Sequence, residues 1–280
     1  METLEKMKLV SYLKLAVHNK DYGNLVNVYV SGSNLYGWNS KDSDIDVRGS
    51  FISDKRKFLG LSTPKDVLEL KNTGQGDLDV VLFEVKKTMG LILKGDCNRI
   101  EGLFAPQIYT TSTFLGLKEI VEDGFESGEI GKRGLYGSYK GMAMHNYKKF
   151  ILGETGKTKG CCPKPQKTVK KYLYIFRGLL SGRYVLDNHA VESNMDKLLK
   201  CYRIPEVKEL LRIKKAGKEQ EKIPETVDDG TLDNLIVKQI GKIDEAYQNC
   251  TMNDRPSEDF VKALNDFLVK ERLYETSYSS

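Results

Sequence analysis

Asp44 and Asp46 stand two residues apart in Ser43-Asp44-Ile45-Asp46-Val47-Arg48-Gly49. The surrounding apolar residues read as a β-strand, and side chains at i and i+2 leave a strand on the same face. Two carboxylates held that close repel unless a cation lies between them or one takes a proton. Asp is also depleted in strands, so the pair calls for a chemical reason. Mg²⁺ supplies one, since it takes oxygen ligands from carboxylates and from substrate phosphates. The chain offers a phosphate cradle just upstream. An apolar run ends at Val30, and Gly32-Ser33 follows. A glycine lets a phosphate approach the backbone, and the Ser33 hydroxyl and nearby N–H groups can donate to it.

Strand, Gly32-Ser33, turn-rich spacer and Asp44-x-Asp46 together resemble the signature of the polymerase-beta-type nucleotidyltransferase superfamily. The resemblance implies in-line attack of a hydroxyl on the α-phosphorus of a nucleoside triphosphate (NTP), with two Mg²⁺ ions (Mn²⁺ as a substitute) clamping the attacking and leaving oxygens. Asp44 and Asp46 would hold the metal. Gly32, Ser33, Ser43 and Arg48 would line the nucleotide. A third acid is needed as metal ligand and near the attacking oxygen. Asp79 is favoured because it stands in an apolar strand, where an unpaired charge is costly. Glu84 is the alternative, with placement at a helix N-terminus as its competing role. Arg48 shares the face of Asp46, and either an ion pair orienting a carboxylate or substrate contact suits it.

A narrower likeness runs further along the chain. Gly32-Ser33-x-x-Tyr36-Gly37, the Ser43–Gly49 motif, Asp79 leading to Glu84-x-x-Lys87, and Leu93–Asn98 followed by Glu101 and Phe104 are similar to the RlaP/YcgL-like branch of the superfamily. Here Asp96-Cys97 stands where that branch has Asn-Pro. Tyr174, between Lys170 and Arg177, stands where it has His. The branch is associated with RNA repair, which implies an RNA 3′ end as acceptor. Lys94, Asn98, Lys167, Lys170, Lys171 and Arg177 are the candidate acceptor-binding residues. A protein side chain, as in AMP-transferring antitoxins, or a small molecule such as an aminoglycoside is the alternative acceptor. A non-catalytic binding protein on the same fold is a further alternative.

The elements that must position these residues can be read from hydrophobic period. The 280 residues carry a net charge of +5, with 40% hydrophobic and 30% charged residues, a composition that supports a sizeable core. Met1–Asn19 reads as an amphipathic helix with Leu4, Met7, Val10, Leu13, Ala16 and Val17, and has no signal-peptide h-region. Strands are expected at 25–30, 43–52, 66–71 and 78–83, and a helix over 84–93 ending at Gly95. Another helix starts at 99, and Ser112 or Thr113 caps the next one. From Leu135 on the pattern is helical, with Gly182 ending the helix that begins at Thr168. The expected fold is α+β: a small mixed β-sheet nucleotidyltransferase domain flanked by helices (1–134), followed by an all-helical domain (135–280).

Five cysteines without metal-ligand spacing and three scattered histidines argue against a zinc motif. Free thiols and the lack of an apolar stretch long enough for a membrane make a cytoplasmic location the expectation. Lys157, Lys159, Lys164, Lys167, Lys170 and Lys171 form a run without an acid. It reads either as a nucleic-acid contact or as a solvated loop.

Overall fold

The computed structural model describes residues 3–40, 44–71, 78–154, 167–217, 223 and 229–274. Lys41, Asp42, Ser43 and the stretch 155–166 lie outside them. Contacts gather the chain into two compact units: 1–32 with 44–130 and 256–280, and 33–43 with 131–255.

The first unit is built on five strands: β1 (Asn24–Val30), β2 (Ile45–Ile52), β3 (Val67–Lys71), β4 (Leu78–Glu84) and β5 (Gln107–Thr110). Their spatial order is β3-β4-β2-β1-β5. Strands β2 and β4 run parallel, and the other neighbours are antiparallel, so the sheet is mixed. The edge strand β5 has only four residues, too few to show an alternation, and the sequence did not announce it.

Helix α1 (Thr3–Asn19) buries Leu9, Leu13 and Val17, spaced by four, against Leu25, Val28, Val47, Phe51, Val80 and Leu82 of the sheet. Leu4 and Met7, expected in the apolar stripe, are 62% and 63% exposed. Alternation along β2 then decides the site. Val47 and Phe51 face the α1 core, so Asp46 and Arg48 face the other side. The parallel register sets Asp46 opposite Asp79 and Val47 opposite Val80.

Short helices α2 (Gly32–Tyr36) and α3 (Arg56–Leu59) follow β1 and β2. Helix α4 (Val85–Leu93) then begins directly at the end of β4. Gly95, at φ +72°, closes α4 by donating its N–H to the Ile92 carbonyl. Asp96 caps α5 (Cys97–Phe104), its carboxylate accepting from the Arg99 N–H at 2.9 Å. The Asp96-Cys97 departure thus gives a helix N-cap. Helix α6 (Ser112–Glu126) is capped by Thr111, one residue before the expected cap.

The second unit contains α7 (Lys132–Asn146), a π-helical turn (Tyr147–Ile151), α8 (Val169–Asn188), α9 (Met195–Tyr202), α10 (Pro205–Ala216) and α11 (Asp229–Asn249). Helix α8 does not end at Gly182. It runs on to Asn188, and Gly182 marks a close helix crossing instead: a Cβ there would meet Tyr139 Cβ at 2.6 Å and Ile243 Cδ1 at 2.7 Å.

The last helix, α12 (Glu258–Tyr274), belongs to the first unit and not to the helical part expected over 135–280. Arg272 supplies the reason. Its guanidinium donates to Glu84 Oε1 at 2.7 Å and to the Ser53 carbonyl at 2.9 Å. Glu84 is 2% exposed, and it also accepts from the Lys86 and Ser53 N–H groups as N-cap of α4. Glu271 accepts from the Thr113 hydroxyl at 2.5 Å. Removing one partner of a buried ion pair strands the other charge, at about 3–5 kcal/mol. Arg272→Met is therefore expected to lower unfolding free energy by roughly 3 kcal/mol in urea titration, and Glu84→Gln in the same background to recover part of the loss.

Candidate active site

Three charged side chains of the first unit meet on the sheet face opposite α1. Arg48 Nη2 donates to Asp46 Oδ1 at 3.0 Å and to Asp79 Oδ2 at 2.9 Å. Its Nη1 donates to the Asp79 carbonyl at 2.7 Å and to the Val47 carbonyl at 2.9 Å. One guanidinium thus ties adjacent parallel strands through both side chains and backbone. The Arg48 side chain is 18% exposed, against 33% for Asp46 and 44% for Asp79, so the carboxylates remain open to water on their outer side. Asp44 precedes β2 and is exposed.

Arg48 has a tyrosine beside it that sequence reasoning missed. Tyr29 on β1 pairs with Arg48 in register and is 4% exposed. Burial raises its pKa, against the opposing fields of Arg99 and Arg48. Its hydroxyl lies where a Cβ on Gly102 would come within 2.2 Å. Its apolar strand context gave no sign of this polar surrounding.

Gly32, two residues past the end of β1, lies against the Asp46 carboxylate. Its φ is +63°, and an added Cβ would lie 2.2 Å from Asp46 Oδ2. The glycine is required twice, by backbone conformation and by the nearness of the carboxylate. Ser33 is the next residue, half-buried at the start of the segment that belongs to the second unit. There Tyr36 lies under the Arg177 guanidinium at 4.0 Å, and Trp38 meets Tyr174 edge-on at 5.4 Å. Lys214, 1% exposed, donates to the Ser40 hydroxyl at 3.2 Å. Lys214 was missed because its place in a charged stretch of α10 reads as solvated surface.

The remaining sequence candidates fall in different surroundings. Glu84 lies five residues beyond Asp79 on the same strand, engaged by Arg272 and capping α4. Arg177, expected at an acceptor surface, is 1% exposed, because it lies on the inner face of α8 against Tyr36 and Met142. Lys94 and Asn98 are exposed at the α4–α5 junction. Lys167 faces Asp233 at 3.8 Å, while Lys170 and Lys171 are half-buried near the start of α8. Ser43 lies outside the described residues.

The donor chemistry of Asp44, Asp46 and Asp79 fits Mg²⁺, a hard cation that takes carboxylate oxygens. Among the described residues, however, no three acids, cysteines or histidines stand already gathered as a ligand set. Arg48 occupies the place between Asp46 and Asp79, so the charge of the pair is offset by a guanidinium. Gly32→Ala tests how closely this is built. A non-glycine residue in left-handed conformation costs about 1–3 kcal/mol, and the methyl must also displace the Asp46 carboxylate. The expected result is a destabilisation in urea of about 2–4 kcal/mol, with no comparable loss for Gly90→Ala, where a Cβ meets nothing within 4 Å.

The chain is similar to known proteins over most of its length. The model of the RNA repair pathway DNA polymerase beta family (RlaP) matches residues 7–270. The Bacillus subtilis (strain 168) protein YcgL, described as uncharacterized, is 25% identical over 274 residues, which is 94% of this chain and 95% of that one. The match spans the mixed sheet, the Gly32-Ser33 turn, the strands that carry Asp46 and Asp79, and the helices of the second unit, and on it the chain belongs to the RNA repair pathway DNA polymerase beta family.

Proposed function

We propose that this protein transfers a nucleoside monophosphate from an NTP to a hydroxyl at an RNA 3′ end and releases pyrophosphate. The observation that carries the reading is the convergence of Asp46 and Asp79 on adjacent parallel strands, with the Gly32 backbone pressed against Asp46. Family membership supports the reaction class and the RNA acceptor. Among the described residues Cys97, Cys201 and Cys250 are free thiols, which accords with a reducing cytoplasm, where NTPs are available. No described helix is long and apolar enough to cross a membrane.

Each residue has a distinct part in this reading. Asp44 and Asp46 would hold Mg²⁺, or Mn²⁺ in its place. When bound, the divalent ion would neutralise the triphosphate and make the attacking hydroxyl more acidic, chemistry that the carboxylates alone do not supply. Asp79 accepts the proton of that hydroxyl as its oxygen bonds to the α-phosphorus. The bond from the α-phosphorus to the bridging oxygen breaks, and its electron pair leaves with pyrophosphate. Gly32 and Ser33 receive the β- or γ-phosphate through backbone N–H groups and the hydroxyl. Ser43 is retained as a nucleotide contact from the sequence motif. Arg48 has all four of its hydrogen bonds on carboxylates and carbonyls, so its part is to position Asp46 and Asp79. Lys94 and Asn98 remain the first unit's candidates for the acceptor.

Asp44→Asn and Asp46→Asn are expected to abolish transfer while the fold stays intact. Asp79→Ala should lose on the order of 10²–10⁴ in the chemical step and keep NTP affinity. Glu84→Ala should lose stability first. The measurement uses each α-³²P-labelled NTP with Mg²⁺, in parallel with tRNA, with protein and with no acceptor. Full turnover by Asp44→Asn or Asp46→Asn would overturn the reading, and label on protein alone would replace RNA with a protein acceptor. An active Asp79→Ala together with a folded but inactive Glu84→Ala would transfer the proton-accepting role to Glu84.

A further inference from the structure

Helix α5 brings a second guanidinium to the acid-bearing face of the sheet. Val28 of β1 and Val80 and Leu82 of β4 face the α1 core, so Tyr29, Asp79 and Phe83 share the other face with Asp46 and Arg48. Gly102 of α5 lies against the Tyr29 hydroxyl. One turn earlier, Arg99 Cζ stands 4.1 Å from the centre of the Phe83 ring. Helix α5 therefore reaches from β1 to β4 and passes over β2, the strand between them. Burial has the largest effect on the Tyr29 hydroxyl, and among charges Arg99 acts on it most, ahead of Arg48, Glu101 and Asp96.

The two guanidiniums differ in what they hold. Arg48 spends its hydrogen bonds on Asp46, Asp79 and two carbonyls. Among the described residues no acid takes the Arg99 side chain: Asp96 accepts from the Arg99 backbone N–H instead. Lys87, the other cation near Phe83, is held by Asp66 at 2.9 Å. Arg99 and Phe83 are both half-exposed. A guanidinium stacked on a ring keeps its in-plane N–H donors for a phosphate. Direction along the sheet then decides which phosphate. Gly32, on the side proposed for the leaving pyrophosphate, lies beside Asp46 near the start of β2. Phe83 lies the other way, four residues beyond Asp79 on β4, roughly 13 Å at about 3.3 Å per residue. In-line displacement puts the attacking and leaving oxygens on opposite sides of the phosphorus. The attacking hydroxyl therefore comes from the side of Arg99.

We propose that Arg99, braced by Phe83, binds a backbone phosphate of the RNA acceptor close to its reacting 3′ end. The inference deepens the proposed transfer and rests on it for the direction of the strand. Arg99 aims and holds the acceptor, and Phe83 is a positioning residue that fixes the guanidinium plane. Lys94 and Asn98, exposed at the α4–α5 junction beside Arg99 in sequence, extend the same acceptor surface.

The test is fluorescence-anisotropy titration of labelled oligo(A) and oligo(U) onto the full chain over a range of KCl concentrations, together with steady-state transfer assays. Arg99→Gln is expected to weaken binding about 10- to 100-fold and to flatten the log–log salt slope by about 0.7. The loss should be equal on both RNAs, because a phosphate contact carries no sequence information. Arg99→Lys keeps the charge and loses the fork, so the slope should hold while affinity falls severalfold. Phe83→Leu should weaken binding less than Arg99→Gln and leave the slope unchanged. In transfer, Arg99→Gln should raise the KM for RNA and leave the KM for NTP as in the wild type. Circular dichroism checks that each variant is folded. Wild-type affinity and slope in folded Arg99→Gln overturn the inference, as does a loss confined to one of the two RNAs. A raised KM for NTP with the KM for RNA unchanged also overturns it and places Arg99 on the triphosphate. If Arg99→Gln does not fold, Arg99→Lys decides, and unchanged affinity for both RNAs counts against the contact. RNA binding that depends on Arg99, without transfer from any NTP, would sink the proposed reaction and leave the contact standing. Transfer to RNA by Arg99→Gln with wild-type kinetics would do the reverse.

Discussion

The arrangement of the first unit depends on one guanidinium. Parallel pairing of β2 with β4 sets Asp46 directly opposite Asp79. Two carboxylates facing each other across adjacent strands are destabilising unless a cation offsets them. Arg48 lies two residues along β2 from Asp46, and one of its nitrogens reaches both carboxylates at about equal distance. The other nitrogen takes two backbone carbonyls, which fixes the orientation of the fork. The sheet can therefore keep its acids adjacent and pointing outward before any substrate arrives. Lys in place of Arg would not reproduce this, because a point charge lacks the planar fork.

The surrounding elements serve this arrangement. The α1 core takes alternate residues of β2 and β4, which forces the acids to the other face. At the far end of β4, Glu84 joins α4 to α12 through Arg272, so the last helix of the chain is fastened to the strand that presents Asp79. Gly32, at the start of α2, lies against Asp46, and the second unit begins in sequence at Ser33. Within that unit, Arg177 and Lys214 are buried on the segment that begins at Ser33. Two cations that sequence alone would assign to a surface thus hold a short polar segment in place.

Much of the fold was legible because it rests on local period. Strand alternation located Asp46 on the sheet face away from α1, while Asp44, expected on the same strand, lies just before β2; a β-branched run located β4 with Asp79. The mixed sheet and the helical remainder followed from where apolar spacing changes from two to near four. Features set by distant partners were not legible. Both Asp79 and Glu84 belong to the same strand, and only the register with β2 and the reach of Arg272 assign one to the acid cluster and the other to a buried ion pair. Gly182 looks like a helix end until Tyr139 and Ile243 are seen against it. Helix α12 looks like part of the helical half until its polar residues find Glu84 and Thr113. Strand β5 is too short to signal itself, and Lys214 carries no local mark of burial.

The central claim is that Arg48 is what allows Asp46 and Asp79 to stand side by side. A double-mutant cycle tests it most directly, with Arg48→Met, Asp79→Asn and the double variant compared with wild type by urea denaturation in metal-free buffer. If the guanidinium offsets the carboxylate pair, Arg48→Met alone is clearly destabilising and Asp79→Asn relieves much of that loss, with a coupling energy of about 1–3 kcal/mol. Additive losses, with coupling near zero, would contradict the account.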